Sequence, residues 1–289
     1  MSLSPRSFQL LLAMTPGMGG KSVIRVLARN SLLGRSPEEF LRLSAESLRE
    51  EYRLGAKSAQ ALSASAEELI RDSAGIEKRL TALGVNLVTA ADAHYPALLE
   101  EMDPDPPGLL FLYGNAKLLE AQTFCVLGSR NSRPAELELI EQLTEEGVLA
   151  AEVLVTGHDR PEYQRSAVVP LRWGSPRILC LDRGMFKVLG EDLRDEAFRA
   201  ARLWRYQFDP STDLVISPFR PEADFVGINN KIRDRLVASL SRRLDFASIR
   251  PGGNMAALAR SGLKAGRAVR VSDTILEYRE FVALGAETV

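Results

Sequence analysis

The segment Phe124-Cys-Val-Leu-Gly-Ser-Arg130 constrains this chain most, because a short apolar run ends in two small residues and one fixed cation. In an open α/β sheet, that is where a strand hands over to a helix and where phosphate is bound. The helix expected next is marked by Glu136, Leu137, Leu139, Ile140, Leu143 and Val148. Beyond Gly147 a second β-rich run over 151–156 leads into Gly157. One βαβ unit is expected here; taken alone, the tripeptide also reads as a structural turn.

The order of segments extends that unit. Strand candidates 124–127, 153–155, 177–181, 214–217, 245–249 and 268–271 alternate with helical stretches. Strands separated by helices imply a parallel sheet covered on both faces. The expected fold class is α/β, an extended Rossmann-like, doubly wound and mostly parallel sheet, and ligands of such sheets lie beyond the carboxyl ends of the strands. A short helix is expected near 275–283.

The first part of the chain reads differently. Residues 8–30 have helical patterning broken by Thr15-Pro-Gly-Met-Gly-Gly20, which resembles a helix-hairpin-helix. Such a turn either exposes backbone amides to a DNA phosphate or simply joins two packed helices. Ser36-Pro37-Glu38-Glu39 has the pattern of an N-cap, a proline at the first helical position and a capping-box glutamate. Helical patterning continues to about residue 80. A strand at 85–89 and the proline cluster Asp103-Pro-Asp-Pro-Pro-Gly108 follow, and three prolines there exclude regular structure. Three parts are expected: a small all-helical domain (helix-hairpin-helix or SAM-like) over 1–82, a linker with a bridging strand over 83–108, and the Rossmann-like domain over 109–289, opening with the strand 109–113.

Composition excludes several functions. No run of about 18 apolar residues is present, so no membrane span is expected. The opening Met1-Ser-Leu-Ser-Pro-Arg-Ser lacks an extended apolar core ending in a cleavage site, and a cytoplasmic location is expected. The two cysteines, Cys125 and Cys180, fall inside apolar strand candidates and read as core residues. His94 and His158 have no partner at ligand spacing, so neither a metal nor another cofactor is expected. Although the net charge is only −1, residues 199–270 carry fourteen Lys and Arg against six Asp and Glu, a local field suited to a polyanion. Phe219, Phe225 and Phe246 lie in that segment and are candidates for base stacking or for core packing.

Read together, these motifs resemble the DNA-processing protein A family (DprA, or Smf). The resemblance runs through Tyr95-Pro96-x-Leu98-Leu99, through Pro106-Pro107-x-Leu109-Leu110-Phe111-x-Tyr113-Gly114-Asn115, and through Gly128-Ser129-Arg130-Asn131. It continues in Arg233-Asp234-Arg235-Leu236-Val237-Ala238-Ser239-Leu240-Ser241, which is similar to the family's Arg-Asn-Arg-Ile-Ile-Ala-Gly-Leu-Ser signature, and in Gly252-Gly253-Asn254-Met255 with Ala265-Gly266-Arg267-x-Val269. The resemblance implies a protein that binds single-stranded DNA and delivers it to a RecA-type recombinase during natural transformation. It implies no catalysis, and family members tend to be dimers, so a homodimer is expected. Carried onto this chain, Arg130, Arg233 and Arg235 would hold phosphates. Gly128, Ser129, Gly252 and Gly253, with Asn254 beside them, would offer backbone amides or close approach. Lys231 joins the set by position and charge.

Several positions depart from the family pattern. The turn after the second strand is Thr156-Gly157-His158-Asp159-Arg160-Pro161, where the family has Gly-Leu-Ala-Arg-Gly-Ile-Asp. Asp234 replaces the signature asparagine and puts a carboxylate beside a phosphate site, which opposes anion binding unless an arginine neutralises it. Residues 206–221 fit the family's Ser-Glu-Tyr-Pro region poorly, and no C-terminal winged helix is expected. A degenerate Rossmann-like scaffold or a nucleotide-binding protein is the alternative. Pro251-Gly252-Gly253 is also similar to the motif of LOG-type phosphoribohydrolases, but Met255, Ala256 and Ala259 stand where that motif has Gly, Thr and its catalytic Glu. His158-Asp159 has the residue types of a general base and its orienting acid, with no nucleophile at a strained turn beside them.

Overall fold

The computed structural model describes residues 3–289; Met1 and Ser2, part of the segment read for a leader, lie outside the described residues. Two compact units form, one from the residues up to Tyr95 together with Pro107–Leu112, the other from Pro96–Pro106 and Tyr113–Val289.

The first unit contains α1 (Pro5–Met14), α2 (Gly20–Leu33), α3 (Pro37–Leu41), α4 (Ala45–Tyr52), α5 (Ala56–Ala64) and α6 (Ala66–Ala82). Strand β1 (Asn86–Thr89) then pairs antiparallel with β2 (Leu109–Gly114), Asn86 opposite Leu112 and Thr89 opposite Leu109. The Ser36 capping box forms as expected, its hydroxyl accepting from the Glu39 amide and the Glu39 carboxylate accepting from the Ser36 amide. Phe40 is central to the core, edge-on to Phe8 at 5.5 Å and to Tyr52 at 4.9 Å. The Tyr52 hydroxyl is satisfied by donating to Asn30 Oδ1 at 2.6 Å.

The turn between α1 and α2 is built for packing. Thr15 is fully buried and donates its hydroxyl to the Leu11 carbonyl. A Cβ on Gly20 would fall 2.5 Å from the Gly108 amide nitrogen, so two backbones meet there with no room for a side chain. Of the two readings of this turn, the close approach supports the joining of packed elements.

The second unit contains α7 (Ala97–Met102) and seven parallel strands: β3 (Thr123–Leu127), β4 (Val153–Gly157), β5 (Arg177–Cys180), β6 (Leu214–Ser217), β7 (Arg243–Phe246), β8 (Ala268–Val271) and the two-residue β9 (Glu287–Thr288). Their order is β6-β5-β4-β3-β7-β8-β9, every pairing parallel. The connections carry α8 (Pro134–Leu149), α9 (Pro161–Arg172), the single-turn α10 (Phe186–Leu189), α11 (Asn229–Ser239), α12 (Asn254–Lys264) and α13 (Tyr278–Ala283). This is the doubly wound α/β architecture the segment order implied.

The core includes Phe124, Val126, Ile140, Leu143, Leu154 and Val169 from β3, α8, β4 and α9. Cys125 and Cys180 lie within buried strands, and burial pushes the Cys125 thiol up to about 12 and the Cys180 thiol further, so both are inert core residues. Phe246 is fully buried on β7, which assigns it to packing.

One strand is shifted from expectation. β7 spans Arg243–Phe246, not 245–249, because Asp245 is accommodated inside the strand by charge. It accepts from Arg270 Nε and Nη2, both at 2.7 Å, and from Arg243 Nε at 3.2 Å. Residues 247–249 instead run on into the loop that meets the turn after β3.

Candidate functional site

β3 pairs with β4 on one side and β7 on the other, and the chain winds away from β3 in both directions. The carboxyl ends of β3 and β7 therefore bracket the topological switch point, where a crevice for ligands opens in doubly wound sheets. Two turns line it, 128–131 and 248–253, and they are stitched together. The Ser129 amide donates to the Ser248 carbonyl at 3.1 Å and to the Ser248 hydroxyl at 3.0 Å. The Arg250 amide donates to the Ser129 hydroxyl at 3.0 Å, and Arg250 Nη2 donates to the Asn131 carbonyl at 3.1 Å.

The geometry bears on two of the expected positions. The Ser129 amide is already engaged and is not open to a ligand. Gly128 is required by packing, since a Cβ there would crowd Ile140, Ser132 and Glu162 at 3.1–3.3 Å. By contrast, Gly252 has φ +66° with open space around it, the left-handed conformation that favours glycine in a tight turn. Gly253 is the N-cap of α12 and supplies no side-chain cap, so the first amides of this eleven-residue helix face the crevice end without a capping side chain.

Arg130 is exposed on its turn and, among the described residues, forms no hydrogen bond or ion pair; Lys231 on α11 is likewise exposed and unpaired. The two signature arginines differ. Arg233 is fully buried, with Nη1 on Asp182 at 2.9 Å and on the His158 carbonyl, Nη2 on Asp234 at 2.9 Å, and its guanidinium 4.8 Å from the centre of the Tyr163 ring. Burial acts to lower its pKa, but neighbouring Tyr163, Asp234 and Asp182 outweigh it and hold the guanidinium above its ordinary value. Arg235 is half-buried and donates to Asp103 Oδ2 at 3.1 Å and to the Asp105 carbonyl at 3.0 Å. Both expected phosphate ligands are thus engaged inside the protein, as the partners of carboxylates.

Asp234, the departure from the signature, is neutralised. It accepts from Arg233 and from the Tyr163 hydroxyl at 2.7 Å, and its second oxygen takes Asn254 Nδ2 at 3.0 Å with Arg160 at 3.7 Å. Asn254 therefore joins α12 to α11 through its side chain. Burial, then the charge of Asp234, push the Tyr163 phenol well above its usual value, so it remains a donor. At the end of β5, burial alone would raise the Asp182 carboxyl, but hydrogen bonds from His158 and Arg183 outweigh it and bring it to about 2.

His158 and Asp159 do not form a base and its orienting acid. The His158 ring faces Asp182 at 3.4 Å, whereas Asp159, at φ +69°, turns to Arg183. His158, Asp159 and Asp182 bring three ligand-type atoms within 4.8 Å of one another. Two guanidinium groups already pair with those carboxylates, Arg183 with Asp159 and Asp182, and Arg233 with Asp182. Phe225 is 40 % exposed beside the same rim, with the Arg183 guanidinium 5.1 Å from its ring centre.

Sequence reasoning missed Arg250, Arg160 and Asp182 as members of this site. Arg250 was detectable, since it immediately precedes a Pro-Gly-Gly turn at a strand end. The partners of Arg233 were not, because Asp182 and His158 lie 51 and 75 residues away in sequence.

A doubly wound α/β protein with a basic, glycine-lined crevice at its switch point is the class these features define. Residues 86–160 match the model of the family described as DNA recombination-mediator protein A. The fold is similar to that of DNA processing protein A from Streptococcus pneumoniae, with a TM-score of 0.69 at 18% identity, covering 100% of this chain and 95% of that one. It is also similar to DNA processing protein A from Helicobacter pylori, whose structure concerns its single-stranded DNA binding mode, with a TM-score of 0.53 at 17% identity, covering 70% of this chain and 90% of that one. No curated protein sequence matches this chain. The family model thus covers residues 86–160, and over the rest of the chain the likeness to the two DNA processing protein A structures is one of fold.

Proposed function

We propose that this protein binds single-stranded DNA through its phosphates at the β3/β7 crevice, and acts in DNA processing during natural transformation by delivering the strand to a RecA-type recombinase. The observation that carries the reading is a pair of stitched turns, each carrying an exposed arginine, Arg130 on one and Arg250 on the other, beside the uncapped start of α12. A phosphate there meets two guanidinium groups and the positive end of a helix. Lys231 extends the positive surface, and Phe225 offers a ring on which a base can stack, worth roughly 1–3 kcal/mol.

Arg233, Arg235, Ser129 and Gly128 support this surface from beneath, holding the turns and α11 in place while Arg130, Arg250, Lys231 and the 252–254 turn face the strand. The protein is proposed to bind without catalysis, as a cytoplasmic homodimer, with residues 1–82 as its helical domain, 83–108 as linker and 109–289 as the binding domain. No described helix is long and apolar enough to cross a membrane.

The degenerate-scaffold reading has one observation in its favour, the engagement of both signature arginines by carboxylates. Titration of a labelled oligothymidylate at low salt separates the two. Binding that weakens in Arg130→Ala with Arg250→Ala supports the proposal, and absence of binding by the native chain supports the scaffold.

A further inference from the structure

A second basic surface lies at the other end of α9, which spans about 18 Å from its start near the crevice to its last turn at the amino end of the strands. The loop between α10 and β6 forms a 3-10 turn at Arg199–Leu203, and the residues from its end onward are exposed and aromatic. Leu203 is 82% exposed, Trp204 43% and Tyr206 74%, and Trp173, just past α9, is 52% exposed. The Arg172 guanidinium, itself ion-paired with Glu141, lies 5.3 Å from the Trp204 ring centre, Trp173 Nε1 donates to Glu145 at 3.1 Å, and Arg202 lies 5.8 Å from the ring centre of Tyr206. Arg199 and Arg202 have no carboxylate partner among the described residues, and no acidic residue occurs from 197 to 208. Arg205 alone of the local arginines turns inward, to Asp213 and Glu196.

We infer that this surface is a second binding site for single-stranded nucleic acid, in which bases stack on Trp204 and Tyr206 while Arg199 and Arg202 meet the backbone. Exposed rings flanked by unpaired cations are what a sequence-tolerant single-strand site requires, because every base has a π-face and every linkage a negative charge. A protein partner would use the same aromatic residues, but Arg199 and Arg202, without a carboxylate partner among the described residues, would then enter an interface uncompensated. The charge therefore favours a polyanion. The inference takes its ligand from the function proposed above, but its residues are separate from those of the crevice.

Both tryptophans of the chain, Trp173 and Trp204, lie on this surface, so intrinsic fluorescence reports it selectively. The native chain is titrated with oligothymidylate at low salt, alongside Arg130→Ala/Arg250→Ala, Arg199→Glu/Arg202→Glu and Tyr206→Ala, each checked for native circular dichroism. Quenching is expected in the native chain and in the crevice variant. It is expected to require about tenfold more oligonucleotide in the charge-reversed variant and several-fold more in Tyr206→Ala, which keeps both fluorophores and every cation. No quenching, or quenching unchanged by charge reversal, overturns the inference. So does an emission change that follows protein concentration without DNA and accompanies self-association in sedimentation, which would assign the surface to a second copy. Failure of the crevice alone reads differently, as an unaltered salt dependence in Arg130→Ala/Arg250→Ala with quenching intact.

Discussion

The two ends of the second unit's sheet each bury an arginine between two carboxylates, yet only one end also offers free cations beside a glycine turn. At the amino end, Arg177 opens β5 fully buried, with Nε on Asp213 at 2.9 Å and Nη2 on Glu196 at 2.7 Å, and Arg205 closes the cluster. At the carboxyl end, Arg233 is equally buried between Asp182 and Asp234. A buried guanidinium of either kind neutralises buried acids and cannot also grip a ligand. What distinguishes the carboxyl end is its surroundings, where the turns that carry the exposed Arg130 and Arg250 are joined beside an uncapped helix start. Positive charge counted along the sequence is thus a poor measure of positive charge available to DNA.

The comparison is broken most forcefully by removing its two buried arginines. Arg177→Ala leaves Asp213 and Glu196 facing each other without their main counter-ion, at an expected cost of about 3–5 kcal/mol. In a unit of this size that lowers the melting temperature by roughly 10 °C, read by thermal denaturation. Arg233→Ala follows, with a somewhat smaller loss, because Asp234 keeps Tyr163, Asn254 and Arg160 as partners. If Arg233→Ala melted like the native chain, the carboxyl-end cluster would not be the structural counterpart of the amino-end one.

A third measurement sharpens the contrast through acid. The Asp182 carboxyl is depressed to about 2 in the folded chain, so its contribution to stability is fully present above the ordinary carboxylate value of about 4 and is lost as pH falls toward 2. Native chain and Asp182→Asn, melted between pH 5 and pH 2, should differ in this window, with the variant showing the flatter dependence. The smallest effect on stability is expected for Arg130→Ala with Arg250→Ala, within about 0.5 kcal/mol of native because both side chains lie on the surface.

The architecture was largely legible because apolar runs at 124–127, 153–155, 177–181 and 214–217 are short, β-rich and separated by helical patterns. Two features escaped for electrostatic reasons. β7 begins at Arg243 since the Asp245 charge is answered across strands by Arg270, a pairing invisible to hydrophobic periodicity. The engagement of Arg233 depends on Asp182 and on the His158 carbonyl, both brought close only by the parallel order β5-β4-β3. Gly128 stands out in the sequence as a turn residue, but what surrounds it is Ile140, Ser132 and Glu162, which no sequence pattern places there. Arg130 reads from the sequence as a cation at a strand end, and it is exposed there; the nearby Glu162 carboxylate accepts instead from the Ser132 amide at 3.2 Å.

The division between buried and available arginines is tested most directly by the salt dependence of oligothymidylate binding, followed by fluorescence anisotropy for the native chain, Arg130→Ala/Arg250→Ala and Arg235→Ala. Removing one guanidinium from a phosphate should flatten the log-log slope by about 0.7, so the double variant should be shallower by about 1.4. Arg235→Ala, whose charge already answers Asp103, should keep the native slope. A native slope in the double variant, or a flattened one in Arg235→Ala alone, would contradict the assignment.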